Sequence, residues 1–241
     1  GVCEMLGRAI QSAAKKCGLP SGVFSLLQGA GHALGVALVQ HPITQAVAFT
    51  GSLRGGRALF DVANARKEPI PFYAEMGSVN PVFVLPGAAA ERGEAIAEQF
   101  VQSVGLGVVQ FCTNPGILIG LKSDTLDILT KKTAEIAANA GPATMLHQGI
   151  AKAYADGLER MESINGVKTC GLSSTPSDSS KNQAACHIFE ADINTLFDQP
   201  ALKEENFGPS SIILKADTAE QLEQAAEGLE GQLTATIHGN E

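Results

Sequence analysis

Apolar positions in the first third of the chain change period several times, and each change marks an element. Over residues 3–16 they fall at Met5, Leu6, Ala9, Ile10 and Ala13, the spacing of one helix face, and Gly18-Leu19-Pro20 stops that helix. V-F-S-L-L-Q, residues 23–28, is a short apolar run that predicts a buried strand. It enters G-A-G-H-A-L-G, then the helical A-L-G-V-A-L-V-Q, which stops at His41-Pro42. Q-A-V-A-F-T predicts a second strand, leading through G-S-L-R-G-G into the helical R-A-L-F-D-V-A-N-A-R. The sequence therefore predicts βα twice with glycines at both turns, the alternation a parallel α/β sheet requires.

The pattern changes near Met76. I-P-F-Y-A-E-M-G-S and V-N-P-V-F-V-L predict strands separated at Gly77, and E-R-G-E-A-I-A-E-Q-F-V-Q-S-V predicts a helix leading toward Cys112. Helices follow over residues 124–140 and 147–163, and the polar residues 173–182 predict an exposed loop. A-C-H-I-F-E-A-D and S-S-I-I-L-K-A-D predict strands on either side of K-E-E-N-F-G-P. A last helix, A-E-Q-L-E-Q-A-A-E-G, precedes a strand-like L-T-A-T-I-H-G-N-E. There is no internal repeat, and both ends read as cut from a longer chain.

Composition narrows the partners. With 241 residues, 44% of them hydrophobic, the chain can bury a sizeable core. A formal charge of -8 and no basic stripe argue against a nucleic-acid partner. No apolar stretch approaches the ~18 residues of a membrane span, and the opening residues lack a secretory signal. Five widely spaced cysteines, an odd number, fit reduced thiols and a cytoplasmic protein. The five histidines (His32, His41, His147, His187 and His238) show no zinc spacing, so no metal site is expected.

Three stretches carry candidate chemistry. The glycines of Gly29 to Gly35 follow a predicted strand and precede a helix, so backbone N–H groups could face a phosphate, although a tight βα turn needs glycines equally. The second turn, F-T-G-S-L-R-G-G, repeats the arrangement, and two such turns at one sheet edge suit a dinucleotide. Glu75, in Y-A-E-M-G-S-V-N-P, is either a satisfied structural acid or a base made stronger by partial desolvation. Cys112, in Q-F-C-T-N-P-G, sits where the following turn can hold its sulfur at the end of a helix-like segment and expose backbone N–H groups, and a thiolate attacks carbonyl carbon well. Packing or indifferent exposure accounts for Cys3, Cys17, Cys170 and Cys186, in helix, helix-end, loop and strand settings respectively.

In order, F-T-G-S, A-E-M-G-S-V-N-P, Q-F-C-T-N-P-G and K-E-E-N-F-G-P resemble the aldehyde dehydrogenase superfamily, and the wording around Glu75 and Cys112 is most similar to its 2-oxoglutarate semialdehyde (2,5-dioxopentanoate) dehydrogenase branch. The resemblance covers essentially the whole chain but only the middle portion of a family member. It implies an α/β fold: residues 1–76 as the second half of a Rossmann-type NAD(P)-binding domain, and 77–241 as most of an α/β catalytic domain. It further implies Cys112 as nucleophile and Glu75 as the base that activates water. Glu205 and Phe207 would lie at the nicotinamide riboside, Gly51 and Ser52 beside the cofactor and Gly29 near its diphosphate or adenosine end, with Asn80 and Pro81 structural. The cofactor would be NADP or NAD, the partner a small-molecule aldehyde, and the full-length protein a homo-oligomer.

The chain departs from the family pattern at Val109, where glycine is usual, and at Asn206, where an apolar residue is usual. The family's oxyanion-hole asparagine and cofactor-binding lysine would lie upstream, so the isolated chain is expected to be inactive. Two rival readings stand beside oxidation to the free acid: an acylating enzyme, against which Glu75 argues, and an inactive relative serving as a binding or structural module.

Overall fold

The computed structural model describes residues 1–29 and 31–240; Ala30 of the first glycine-rich stretch and the side chain of Val109 lie outside the described residues. The chain divides into two compact units, Gly1–Met76 and Gly77–Glu241. In the first, helix α1 (Val2–Lys16) and helix α2 (Ala33–Gln40) precede strand β1 (Val47–Gly51), helix α3 (Leu53–Asn64) and strand β2 (Phe72–Met76). β1 and β2 pair in parallel, Val47 opposite Phe72 and Gly51 opposite Met76, which makes one βαβ crossover unit.

The strand expected over residues 23–28 does not form. Val23, Leu26 and Leu27 are exposed and have no strand beside them, because β1 and β2 are the only strands among the described residues of this unit. An apolar run becomes a strand only where a neighbour takes up its backbone N–H and C=O groups. The unit therefore shows one βα repeat where two were expected. Gly56 is fixed by packing here: the side chains of Met76 and Phe49 occupy the place of its absent Cβ.

The second unit is a six-stranded sheet between two helical layers. Its strands are β3 (Val82–Val84), β4 (Ile117–Leu121), β6 (Lys168–Leu172), β8 (His187–Asp192), β9 (Ser210–Ala216) and β10 (Thr236–His238); β5 (Ala143–Thr144) and β7 (Gln183–Ala184) form a separate short ribbon. The order is β10-β3-β4-β9-β8-β6, all parallel except β6 against β8. Alternate residues feed opposite cores, as the period of two demands. Leu118, Ile188 and Ile213 face helices α4 (Pro86–Gly105) and α5 (Asp124–Asn139). Ile119, Phe189, Ile212 and Leu214 face α7 (Ile193–Asp198) and α8 (Ala219–Gly228), with Met161 of α6 (Gln148–Ser163) at the same core. Both faces being buried explains why β4 and β9 read as continuous apolar runs rather than alternating ones.

β4 and β6 were not expected, and Cys170 lies in β6 rather than in a loop. The terminal strand is also shorter than the apolar pattern of residues 233–241 suggests, since pairing with β3 covers only Thr236 to His238. The sequence ties several helix N-termini locally. Ser52, Ser123, Asp192 and Thr218 each cap a helix by accepting from a backbone N–H, and Thr218 completes a capping box with Gln221.

Candidate active site

Helix α4 ends at Gly105, one residue past the end of the expected helix, and the chain then turns sharply through Leu106–Val109 toward Cys112. Gly107 and Val108 both take left-handed backbone, at φ 61° and 58°, a region that a β-branched residue rarely enters. Gln110 anchors the exit, its Oε1 accepting from the N–H of Leu146 at 2.7 Å. Residues 110–116 form an irregular turn that ends where β4 begins, and the Cys112 thiol is free and exposed on it. Within this turn the Asn114 N–H donates to the Phe111 carbonyl at 3.3 Å, and Gly116 N–H donates to Val79 O at 2.8 Å. A Cβ on Gly116 would meet Val79 O at 3.2 Å, which explains why the T-N-P-G motif ends in glycine.

Beneath the turn lies Asn80, only 3% exposed and left-handed at φ 44°, a conformation asparagine tolerates better than most residues. Its Nδ2 donates to the carbonyls of Cys112 at 2.9 Å and Asn114 at 2.7 Å. Its Oδ1 accepts from Thr234 N–H at 3.1 Å and from the Thr234 hydroxyl at 3.0 Å, with the Ser78 hydroxyl 2.8 Å away. Gln232 completes the frame, its Oε1 accepting from Val79 N–H at 2.7 Å and Asn80 N–H at 3.2 Å. Segments 78–80, 110–116 and 232–234 are thereby tied into one polar cluster.

Glu205, Asn206 and Phe207 lie on the loop before β9. Glu205 is partly buried, its Oε2 beside Gly77, where a Cβ would come within 3.2 Å. Burial raises its carboxyl above the usual carboxylate range, against the lowering effect of the Ser78 backbone N–H. Asn206, the departure from the family pattern, is accommodated: its Nδ2 donates to Ser210 Oγ at 3.0 Å, and its amide fills the space left by the missing side chain of Gly157. Gly208 admits the Tyr154 ring, whose hydroxyl lies 3.1 Å from Pro209 O and 2.8 Å from Ala185 O. Phe207 is half-buried. Ser78, Asn114, Glu205, Asn206 and Ser210 line a small cavity of about 20 Å³, room for about one water molecule.

Glu75, Gly29, Gly51 and Ser52 lie in the first unit. Glu75 is exposed on β2 and makes no hydrogen bond or ion pair among the described residues, so neither the satisfied nor the desolvated carboxylate of the sequence reading is what the structure shows. Its strand position explains this, because the inward side chains of β2 are those of Phe72, Ala74 and Met76. Gly29 is exposed, and Leu34 lies where its Cβ would be, 3.3 Å away. A Cβ on Gly51 would meet the Phe49 ring at 2.7 Å, so this glycine is required by internal packing. Ser52 caps α3 by accepting from Gly55 N–H at 3.2 Å, leaving the N–H groups of Leu53 and Arg54 without intrahelical acceptors at an exposed helix start. A dinucleotide phosphate or other anion fits that chemistry, and the Glu205 carboxylate, an acceptor only, fits sugar hydroxyls.

The sequence reading passed over Gln232 and Thr234 and gave Asn114 no role. Nothing local marks them, since their partners lie far along the chain. Among the described residues no group of three or more His, Cys, Asp and Glu side chains could hold a metal ion.

The model of the aldehyde dehydrogenase family matches residues 3–241. The chain belongs to the aldehyde dehydrogenase family. Its aldehyde dehydrogenase relatives include alpha-ketoglutaric semialdehyde dehydrogenase 2 of Azospirillum brasilense, 45% identical over 98% of this chain and 45% of that protein. Alpha-ketoglutaric semialdehyde dehydrogenase of Acinetobacter baylyi is 43% identical over 99% of this chain and 45% of that protein. The chain thus spans about half the length of the curated relatives it matches. Among solved aldehyde dehydrogenases, the NAD-dependent benzaldehyde dehydrogenase of Corynebacterium glutamicum superposes with a TM-score of 0.77 at 22% identity, covering 94% of this chain and 49% of that one. Gamma-glutamyl-gamma-aminobutyraldehyde dehydrogenase of Burkholderia cenocepacia gives 0.79 at 20% identity, covering 97% and 47%. These likenesses establish the α/β aldehyde dehydrogenase fold.

Proposed function

We propose that the protein is an NAD(P)-dependent aldehyde dehydrogenase that oxidises 2-oxoglutarate semialdehyde to the corresponding carboxylic acid. The observation that carries this reading is Cys112, an exposed thiol on a turn held from below by Asn80, within a family whose two relatives above are named for that semialdehyde. In this reading residues 1–76 contribute to the cofactor domain and 77–241 to the catalytic domain. Gly51 and Ser52 at the start of α3, Gly29, Glu205 and Phe207 would hold the dinucleotide. Homo-oligomerisation and a cytoplasmic location belong to the same proposal, the second supported by five free thiols.

The Cys112 thiolate adds to the aldehyde carbon, and the carbonyl oxygen becomes the oxyanion of a thiohemiacetal. The bound nicotinamide supplies a hydride acceptor. Loss of hydride from the former aldehyde carbon leaves a thioester on Cys112. Glu75 then removes a proton from water, the water oxygen attacks the thioester carbon, and the Cys112 thiolate departs as the acid forms. The exposed carboxylate of Glu75 is free to meet water, as this step requires.

The test incubates the 241-residue chain, and in parallel the chain at its relatives' length, with 2,5-dioxopentanoate and NAD or NADP, following reduced nicotinamide. Turnover at the relatives' length is expected. Cys112→Ser should abolish it, while Glu75→Gln should permit a first burst of reduction and then stall. An absence of reduction across several aldehydes at both lengths would overturn the proposal in favour of an inactive relative. Near-normal turnover in either variant would remove the role given to that residue.

A further inference from the structure

We infer that Asn80 is the positioning residue of the nucleophile, orienting the Cys112-Thr113 peptide so that the thiol is presented in one fixed attitude. The inference rests on the role of Cys112 proposed above. Its physical basis is the assignment of the Asn80 amide, which the surroundings leave unambiguous. On one side stand two backbone carbonyls, Cys112 O at 2.9 Å and Asn114 O at 2.7 Å, which can only accept. On the other stands the Thr234 N–H at 3.1 Å, which can only donate. The amide nitrogen must therefore face the turn and its oxygen must face Thr234, because the flipped amide would set oxygen against two oxygens and NH₂ against N–H.

Both Nδ2 protons are consequently committed to the turn, one to the residue that bears the thiol and one to the residue two positions on. Because the 112–113 peptide unit is planar and trans, fixing the Cys112 carbonyl inward directs the Thr113 N–H away from Asn80. It also removes the freedom of ψ at Cys112, and with it the swing of the Cα–Cβ bond that carries the sulfur. The second carbonyl belongs to the Asn114-Pro115 peptide, which has no N–H and so presents an acceptor alone. The hub is itself immobilised by the Thr234 backbone and hydroxyl and by Gln232 holding the N–H groups of Val79 and Asn80. An ordinary packing residue would need none of this; a side chain whose amide nitrogen is spent on the Cys112 and Asn114 carbonyls beneath an exposed thiol, and whose oxygen is anchored at Thr234, is placed to control that thiol.

Two variants separate positioning from folding. Asn80→Asp keeps the shape but sets a carboxylate against the two carbonyls. Asn80→Gly accepts the left-handed backbone and removes the side chain altogether, so it keeps the inference testable should the aspartate variant fail to fold. Site-resolved amide exchange in the 241-residue chain reads the Asn114 and Gly116 N–H groups against those of β4 and β9. The expected result is exchange at Asn114 and Gly116 faster by at least about tenfold, with the β4 and β9 amides unchanged. In the enzyme at its relatives' length, Asn80→Gly should slow the first hydride transfer by about 10- to 100-fold with KM for the nicotinamide unchanged. Wild-type exchange at both amides in a folded Asn80→Gly chain would overturn the inference. So would an unaltered hydride-transfer rate in an active enzyme. A wild-type enzyme that reduces no nicotinamide would instead sink the aldehyde dehydrogenase reading, while the exchange result still decides whether Asn80 holds the turn.

Discussion

Five free thiols share one chain, and their surroundings divide them into reactive and inert. Burial pushes the Cys170 thiol up to about 12 and the Cys186 thiol up to about 11, whereas Cys3, Cys17 and Cys112 are exposed. Iodoacetamide at neutral pH, followed by peptide mass spectrometry, should label the last three and spare the first two. Labelling of Cys186 as fast as Cys17 would show that the buried segment just before β8 opens in solution. Glu205 gives a second test at this scale. Its folded-state affinity for a proton exceeds that of the unfolded chain, so between the ordinary glutamate value of 4.5 and the raised one the native state binds more protons. Stability from this group must then fall as pH rises through that window. Glu205→Gln should flatten that limb of the stability-against-pH curve, and an unchanged slope in denaturant titrations would count against a desolvated carboxyl there. Cys112 was legible from the turn that follows it, because Thr-Asn-Pro-Gly is a local signal. The work of Asn80 was not, since its partners lie 32 and 154 residues away and no spacing rule reaches that far.

Most elements were readable because their information is short-range. α8 begins one residue after Thr218 and its capping box, and Thr218→Ala should lower stability by about 1 kcal/mol in urea unfolding; no change would mean that the box is idle. The loop before β9 is held differently. Gly208→Ala would drive a methyl into the Tyr154 ring, and a loss of about 1–3 kcal/mol is expected, with the largest increase in exchange over residues 204–209. The strands that escaped the sequence reading did so for opposite reasons. I-L-I-G-L of β4 is apolar without alternation because both its faces are covered, so periodicity cannot distinguish it from buried helix. K-T-C-G-L of β6 is short, mostly exposed and interrupted by a register shift between Thr169 and Gly171. Residues 23–28 show the reverse error: apolar composition without a partner strand makes no strand.

Across the whole molecule burial is unevenly distributed. In the first unit Val39 and Ala63 are the buried apolar residues among those described, whereas the second unit holds two extensive cores on either face of its sheet. Amides of residues 1–76 should therefore exchange faster than the sheet amides of residues 77–240 under native conditions, and equal protection would contradict the burial pattern. Phe189→Ala, at 1% exposure in the middle of β8, should cost about 3–5 kcal/mol. The strands β8 and β9 were legible, but the strand order of the sheet was not, because β4 lies between β3 and β9 only by pairings that skip long stretches of chain. The same long reach governs when the Cys112 turn is completed during synthesis. Cys112 leaves the ribosome well over a hundred residues before Thr234, so until Thr234 arrives the Asn80 amide oxygen has the Ser78 hydroxyl as its partner and lacks the Thr234 anchor. A nascent chain thus carries an unaligned thiol, and the turn that bears Cys112 is among the last features of its unit to be set in place.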